Sequence, residues 1–299
     1  MTNNAGGDVK LDFHADFREL VEQLLTRNAI AIDPTEPYQD AVYRYYANAR
    51  RRPKVQRYTV VESKEIVESK EFACPPDLTP GYAELKSELE QGIDVTARLS
   101  RNASKPTYED KLLNDWGITH FHLGLRDAQG KVQGGDDVLF AFICDDVVHC
   151  IGFFKHQSWS KIVLLEILQR NWPQAVEHAR AKGVTGYEWS DEDRAKIRAT
   201  YGNILNTVNG EVFAPIGGGI SAAGTSMRAH WLADRAILLV VDYEKRVREN
   251  IATIVRDFEA AAHTVGTPPT FHLDFHADGN AMATEPTANA SFILGPFPL

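Results

Sequence analysis

The chain has 299 residues, which is enough for one large domain or two compact ones. Hydrophobic residues make up 43% of the sequence and charged residues 24%, as in an average soluble globular protein, so a largely disordered chain and a coiled-coil rod are excluded. The formal net charge of −9 repels polyanions over most of the surface and argues against a protein that coats DNA. Any nucleic-acid site would therefore have to be local.

Cysteine content and the length of apolar runs bear on the compartment. The three cysteines do not have the spacing of a disulfide framework or a metal site. The first ten residues lack the basic start and apolar stretch of a signal peptide. The longest apolar runs, at 138–144 and 236–241, are far shorter than the roughly 20 residues that span a bilayer. We expect a cytoplasmic protein that does not cross a membrane.

The N-terminal region is predicted to be helical and to carry a basic segment. Apolar residues recur at three- and four-residue steps in 15–27 and in 41–50, which is typical of amphipathic helices. The stretch 41–58 contains basic residues and tyrosines but no acidic residue, and interleaved aromatic and basic side chains are used to bind single-stranded RNA. The residues that we assign to RNA binding are Arg50, Arg51, Arg52, Lys54 and Arg57.

The remaining N-terminal elements are weaker predictions from local pattern. β-Branched residues predict a strand at 57–63, and a helix at 82–91 is expected to stop at Gly92. The segment 94–107 shows no clear period and is expected to be a surface connection.

Three consecutive strands are predicted in the middle of the chain. Their connections are short or rich in Gly and Asp, which suits antiparallel hairpins. Both faces are apolar, so we expect other elements to cover both faces. A two-residue turn at Asp145 and Asp146 would place Phe142 opposite His149 and Phe140 opposite Ile151. The predicted strands are 118–125, 138–144 and 147–154.

The C-terminal part is predicted to be mainly helical. Its strongest periodicity runs from about Ser226 to Ala262, where apolar residues recur at steps of three and four. Extended pieces are expected at 212–216 and 271–276. The shorter predicted helices are 158–172, 174–182 and 191–205, the first capped by Ser158.

These elements together predict an α+β fold. A central antiparallel sheet, the three-strand meander near 118–154, is flanked by helices, and a long helix follows in the C-terminal part. We divide the chain into a helical and basic region (1–100), a meander with a helix (101–185) and a mainly helical region (186–299), or one large domain. The hexapeptide Leu-Asp-Phe-His-Ala-Asp occurs twice, at 11–16 and 273–278, without wider self-similarity.

Four histidines and a lysine lie in or beside the predicted meander. His120 and His122 are two positions apart on a strand and therefore share one face of the sheet. Lys155 and His156 lie at the end of the third strand. Two imidazoles can divide general acid and base roles near neutral pH, and a lysine can stabilise the charge on a phosphorane. This is the chemistry of metal-independent RNA cleavage, so we predict catalytic roles for these four residues.

The same histidines have two other interpretations. They could be packed, hydrogen-bonded core residues, because histidine is of intermediate burial in proteins. They could also bind a metal, since a His-x-His pair and a third ligand complete a zinc-like shell. His149 would lie two strands from His120, roughly 10 Å away at about 4.8 Å per strand, which strains a shared ion. We therefore assign no metal and no cofactor.

The segment 57–159 resembles the RelE/HigB-type toxin superfamily of bacterial mRNA interferases in its order of elements. The specific likeness is the run Asp-Asp-Val-Val-His-Cys-Ile-Gly-Phe-Phe-Lys-His at 145–156, which is similar to the acidic turn, apolar strand and basic end of those toxins. The resemblance implies that Lys155 and His156 lie at the catalytic strand end. His120 and His122 occupy a strand on which such toxins often carry arginine. The function that this implies is a toxin-like or defence-type cytoplasmic RNase with RNA as its partner.

Two further hypotheses come from other parts of the chain. A glycine-rich loop before the long helix could bind a phosphate or nucleotide, because free amides at a helix start form an anion site. Alternatively, the acidic surface and the long C-terminal helix could serve a non-enzymatic protein that binds a partner or forms a homo-oligomer. The residues of the phosphate hypothesis are Gly217, Gly218, Gly219, Thr225, Ser226 and Arg228.

Overall fold

A computed structural model gives the structure of most of the chain. The described residues are 9–51, 65–103, 105, 107–128, 130–144, 147–276 and 278–299. The strand predicted at 57–63 and the turn at Asp145 and Asp146 lie outside them. So do three residues assigned to RNA binding, namely Arg52, Lys54 and Arg57.

The chain forms a mixed α+β structure of two compact units, each described here by itself. The described part of the first unit comprises residues 9–46 and 230–299, and that of the second comprises 47–51 and 65–229. The first unit therefore combines residues from the N-terminal and C-terminal parts of the chain.

The second unit is built on a four-stranded sheet with the order β1-β4-β3-β2. The predicted meander is confirmed, since β3 pairs antiparallel with both β2 and β4. An additional strand, β1, pairs with β4 in parallel and was not predicted. The strands are β1 (Glu65–Glu68), β2 (Ile118–Phe121), β3 (Asp137–Cys144) and β4 (Val147–Lys155).

The register between β3 and β4 contains an irregularity. Phe142 lies opposite His149, as predicted, but Phe140 lies opposite Gly152 and not Ile151. The register shifts between Phe140 and Ala141, so that Ile151 is the extra residue of a β-bulge on β4. Gly152 has a φ of 149°, a conformation that glycine adopts without strain.

Both faces of this sheet are covered, as the apolar pattern predicted. On one face, Ile118, Phe140 and Ile151 pack against the leucines of α5. On the other face, Phe121, Leu139 and Cys150 pack against residues of α3. A hairpin of β5 and β6 lies in the same unit. The helices of this unit are α3 (Thr79–Glu90), α4 (Lys111–Trp116), α5 (Val163–Asn171), α6 (Pro173–Val176) and α7 (Asp191–Ala199), and the hairpin strands are β5 (Asn206–Val208) and β6 (Glu211–Phe213).

Several predicted boundaries in the second unit are wrong by a few residues. The helix expected from Ser158 begins only at Val163, because residues 156–162 turn back over the sheet. The helix predicted to reach Leu205 ends at Ala199, and 94–107 contains a short 3₁₀ turn, Thr96–Arg98.

The first unit contains long helices and a second sheet. The helix α8 follows the predicted long span closely, and its buried residues include Val240, Tyr243 and Val247, as predicted. The Tyr243 hydroxyl donates a hydrogen bond of 2.9 Å to the Pro296 carbonyl. The strand near 271–276 is confirmed, but it belongs to a three-stranded antiparallel sheet whose other two strands were not predicted. The elements are α1 (Phe13–Arg27), α2 (Tyr38–Arg51), α8 (Met227–Ala260), β7 (His272–Phe275), β8 (Asn280–Glu285) and β9 (Ala290–Pro296). Residues 47–51 of α2 and 227–229 of α8 are counted in the second unit.

Candidate metal centre

Three imidazole rings meet at one end of the four-stranded sheet. His120 lies in β2, His122 follows the end of this strand, and His156 follows the end of β4. One ring nitrogen from each residue can be chosen so that all three lie within 4.8 Å of one another. The ring centroids are 5.4 Å apart for His120 and His122, 5.4 Å for His120 and His156, and 5.2 Å for His122 and His156.

Backbone hydrogen bonds hold the chain at each of these residues. His120 lies opposite Phe140 in the β2–β3 ladder. The peptide N–H of His122 donates to the Arg98 carbonyl at 2.8 Å, and that of His156 donates to the Asp136 carbonyl at 2.6 Å. The three imidazoles are therefore attached to backbone that is fixed independently of any ligand.

The β-bulge determines that His156 reaches this cluster. Before the bulge, Ile151 packs on the α5 face of the sheet; after it, Phe154 packs on that face and Phe153 on the opposite one. In a regular strand, Phe153 and Lys155 would share the face of Ile151, because side chains alternate. The extra residue reverses this alternation and directs His156, rather than Lys155, toward His120.

Trp159 covers the cluster from the turn that follows β4. Its ring centroid lies 4.9 Å from that of His120 and 4.5 Å from that of His156, both in edge-to-face geometry. Phe140 lies beneath, with its centroid 6.2 Å from that of His120. The imidazoles thus lie in a largely aromatic environment, while His122 and His156 remain partly accessible to water.

The buried imidazole nitrogens lack hydrogen bonds. His120 is 5% exposed. Both of its ring nitrogens, and Nδ1 of His122, are buried without a hydrogen-bond partner among the residues that the structure describes. Burying a polar nitrogen without a partner costs about 1–3 kcal/mol, so an arrangement of three such atoms calls for a compensating ligand. A metal ion would accept one nitrogen from each ring.

Burial also sets the protonation of these rings. Desolvation, followed by the charges of His122 and His156, lowers the pKa of His120 to about 3. The pKa of His122 is lowered in the same way, first by burial and then by His156 and Arg101. At neutral pH His120 is therefore a neutral imidazole, the form that binds a metal and one that has no proton to spare as a general acid.

Lys155, which belongs to the sequence-based site, and His149, which does not, both lie outside the cluster. Lys155 is 66% exposed in its side chain and forms an ion pair with Asp137, with 2.8 Å between Nζ and Oδ2. Its assignment as a phosphate-stabilising residue stays a prediction. His149 lies with its ring centroid 4.9 Å from that of Trp172, and its Nδ1 is 3.3 Å from the Phe142 carbonyl.

The described part of the basic segment is used inside the chain. Arg50 donates to the Gly217 carbonyl at 2.8 Å and to the Ser226 hydroxyl. Arg51 is buried and donates to the Tyr108 carbonyl and to the Asn48 side chain. These guanidinium groups already bind oxygen atoms of the protein. The assignment of Arg50 and Arg51 to RNA binding stays a prediction.

The glycine-rich loop, for which phosphate binding stays a prediction, already uses its glycine amides inside the chain. Its amides are bonded to backbone carbonyls: Gly217 to Asp115, Gly218 to Pro215 and Gly219 to Asn114, at 2.8–2.9 Å. The Thr225 amide and the Ser226 hydroxyl are likewise engaged, by Ser221 and by the Ala229 amide, while Arg228 is exposed. A Cβ on Gly217 would lie 2.1 Å from the Leu113 carbonyl oxygen, so close packing explains this glycine.

Sequence reasoning missed the contribution of Trp159 and the way in which the third histidine arrives. The His-x-His pair was a usable signal for this site. The argument against a metal, however, measured the distance to His149 across a regular sheet and did not consider His156. The turn after β4 places the His156 ring next to His120, although β3 lies between their strands. The spacing of strands in a sheet does not predict this contact.

Within the described part of the chain, no helix is long and apolar enough to cross a membrane. Comparison with protein-family models, with curated proteins and with solved structures found no match. The resemblance to RelE/HigB-type toxins accordingly stays a prediction.

Proposed function

We propose that the chain binds a zinc-class divalent metal ion through His120, His122 and His156, and that the ion activates a water molecule for hydrolysis. The observation that carries this proposal is the convergence of three imidazoles whose buried nitrogens have no partner among the described residues. Imidazole suits zinc and its neighbours in the transition series. Three histidines and an open position for water form a frequent arrangement of catalytic zinc.

The geometry requires only small adjustments to hold an ion. Zinc–nitrogen bonds of about 2.0–2.1 Å in a tetrahedral shell separate the ligand nitrogens by about 3.4 Å. The present separations are all within 4.8 Å, so binding would require the rings to move closer together. His122 and His156 are partly exposed, so water could reach an ion held by the three rings.

The metal hypothesis explains the site better than acid–base catalysis by histidine alone. General acid catalysis is most effective when the pKa of the group lies near the working pH. The pKa of about 3 for His120 is far from that range. The neutral ring is instead ready to donate a lone pair, and a bound ion lowers the pKa of its water enough to supply hydroxide at neutral pH.

RNA is the first substrate to test. A divalent ion adds positive charge beside Arg101, whose charge already acts on His122. Such a site favours an anionic substrate, and a phosphodiester would place its charged oxygens next to the ion. The substrate in this proposal, RNA, comes from the toxin resemblance, and the mechanism, metal-dependent hydrolysis, comes from the geometry of the three histidines.

Metal binding is tested directly on the full chain. After removal of metal by a chelator, the protein is titrated with Zn²⁺ and with Co²⁺, and we expect one ion per chain with the visible absorption of tetrahedral cobalt. His122→Ala and His156→Ala should each weaken binding by at least about 100-fold, because each removes a ligand. His149→Phe, a buried histidine of the same sheet, is the matched control and should bind as the parent does. Failure of the parent to bind either ion rejects the proposal.

Cleavage of RNA separates the two mechanisms. Metal-dependent hydrolysis is lost in the chelator-treated protein, returns on addition of Zn²⁺ and is absent from His122→Ala. Cleavage that survives chelation but is lost in the histidine variants would instead identify the acid–base mechanism and reject the metal as the catalyst.

A further inference from the structure

The helix α8 carries apolar side chains on the side opposite its buried seam. Trp231 is 60% exposed and Leu238 is 67% exposed, and they lie seven residues apart, two turns along the same stripe. Val241 is also exposed. Trp231 and Leu238 line a shallow groove together with Leu239, Asp234, Arg235 and Asp242. Large apolar groups clustered in this way, with charges around them, mark an interaction surface.

The charges of this stripe are complementary to themselves. Arg235 and Asp242 are also seven residues apart and flank Leu238 and Leu239 on either side. When two such helices lie antiparallel about a two-fold axis between Leu238 and Leu239, Arg235 of each lies opposite the partner's Asp242. A parallel arrangement would oppose like charges, which disfavours it.

The same arrangement accounts for the exposed tryptophan. In the antiparallel pair Trp231 lies opposite the partner's Arg246. A guanidinium group in that position can stack on the indole ring. Arg246 is half-exposed, and its guanidinium lies 3.8 Å from the Asp242 carboxylate and 5.4 Å from the centroid of the Tyr243 ring. The leucines at the centre then cover each other, as the core of an interface requires.

We propose that two copies of this chain associate through this stripe, with their α8 helices antiparallel and two Arg235–Asp242 ion pairs flanking the central leucines. The occupant is a second copy because one surface supplies both members of each charge pair. The stripe lies wholly in the first unit and contains none of the three histidines, so this inference is independent of the proposed function.

The oligomeric state of the full chain tests the surface. Sedimentation velocity over a concentration series should show a dimer. Leu238→Asp should raise the dissociation constant at least about 30-fold, because it places a charge at the centre of the interface. Its circular dichroism and metal binding should stay those of the parent, since the side chain is exposed. Arg256→Asp, an exposed change elsewhere on α8, should leave the dimer unaltered.

A charge exchange tests the antiparallel pairing itself. Arg235→Asp and Asp242→Arg should each weaken the dimer about tenfold, because each opposes like charges. The double variant should recover most of this loss. A parent that stays monomeric up to about 100 µM overturns the proposal. A dimer unaffected by Leu238→Asp, or a double variant weaker than both single variants, overturns it as well.

Discussion

The burial of His120 couples the protonation of one side chain to the stability of the fold. In the folded chain its pKa is about 3, against an ordinary value of 6.5. Between these values the unfolded chain binds a proton that the folded chain does not bind, so the free energy of unfolding falls as the pH decreases below 6.5. Above 6.5 both states are neutral and this contribution is constant.

This linkage gives a prediction for the metal-free protein. In the presence of a chelator, His120 alone should remove about 2 kcal/mol of the free energy of unfolding between about pH 8 and pH 5. His120→Phe keeps a ring beside Trp159 and Phe140 but cannot be protonated, so its stability should depend less steeply on pH. Urea unfolding at several pH values measures both slopes. Equal slopes for the variant and the parent would show that His120 is not buried as neutral imidazole.

At the level of elements, the β-bulge of β4 affects both the packing of the sheet and the position of the third histidine. Because of the bulge, Ile151, Phe154 and His156 lie on one face of the sheet. In a regular strand side chains alternate, so Ile151 and Phe154 would lie on opposite faces. Gly152 adopts a φ of 149° in the bulge, and a Cβ there would lie 3.4 Å from the Phe154 ring. A larger residue at this position would strain both the bulge and the aromatic packing.

We therefore expect Gly152→Val to destabilise the fold by about 1–3 kcal/mol and to weaken metal binding at least about tenfold. Gly210→Ala is the control, since Gly210 also has a positive φ but lies in a hairpin turn with open space around its Cα. That variant should lose stability and keep the affinity for metal. Chemical denaturation and Zn²⁺ titration of the two variants provide the measurements. If Gly152→Val bound metal with unchanged affinity, the bulge would not be required for metal binding.

The duplicated hexapeptide shows how surroundings decide the structure of an element. At 11–16 it begins α1, where the Asp12 side chain accepts a hydrogen bond from the Ala15 amide at 3.0 Å. In the second copy, the leading residues lie in β7. The two copies also meet, because Asp16 accepts a hydrogen bond of 2.7 Å from the Leu273 amide. Identical local preference thus yields a helix in one context and a strand in the other.

At the level of the whole molecule, the metal hypothesis predicts a concentration-dependent stability. An ion that binds only the folded chain, present at about 100 times its dissociation constant, stabilises that fold by about 2.7 kcal/mol. For a unit of this size this corresponds to a rise of about 5–10 °C in melting temperature. Calorimetry with Zn²⁺ and with chelator measures the shift. The double variant His122→Ala and His156→Ala should melt at the same temperature in both conditions, and a shift equal to that of the parent would place the ion elsewhere.

Periodicity in the sequence was sufficient to predict the helices α1, α2 and α8, the β2–β3–β4 meander and the apolar character of both its faces. These properties follow from the three- to four-residue and two-residue repeats of side-chain direction, which are local. The same alternation placed His120 and His122 on one face. Two of the three histidines of the candidate site could therefore be predicted from one strand.

Tertiary structure alone decided which other residues joined that pair and how the sheets were completed. The parallel pairing of β1, the bulge at Ile151 and the turn that carries His156 and Trp159 depend on hydrogen bonds between residues far apart in the chain. Arg50 and Arg51 likewise donate hydrogen bonds to carbonyl groups more than fifty positions away. Such partners leave no mark on local periodicity, because a register shift and a long-range hydrogen bond are properties of two segments and not of either one.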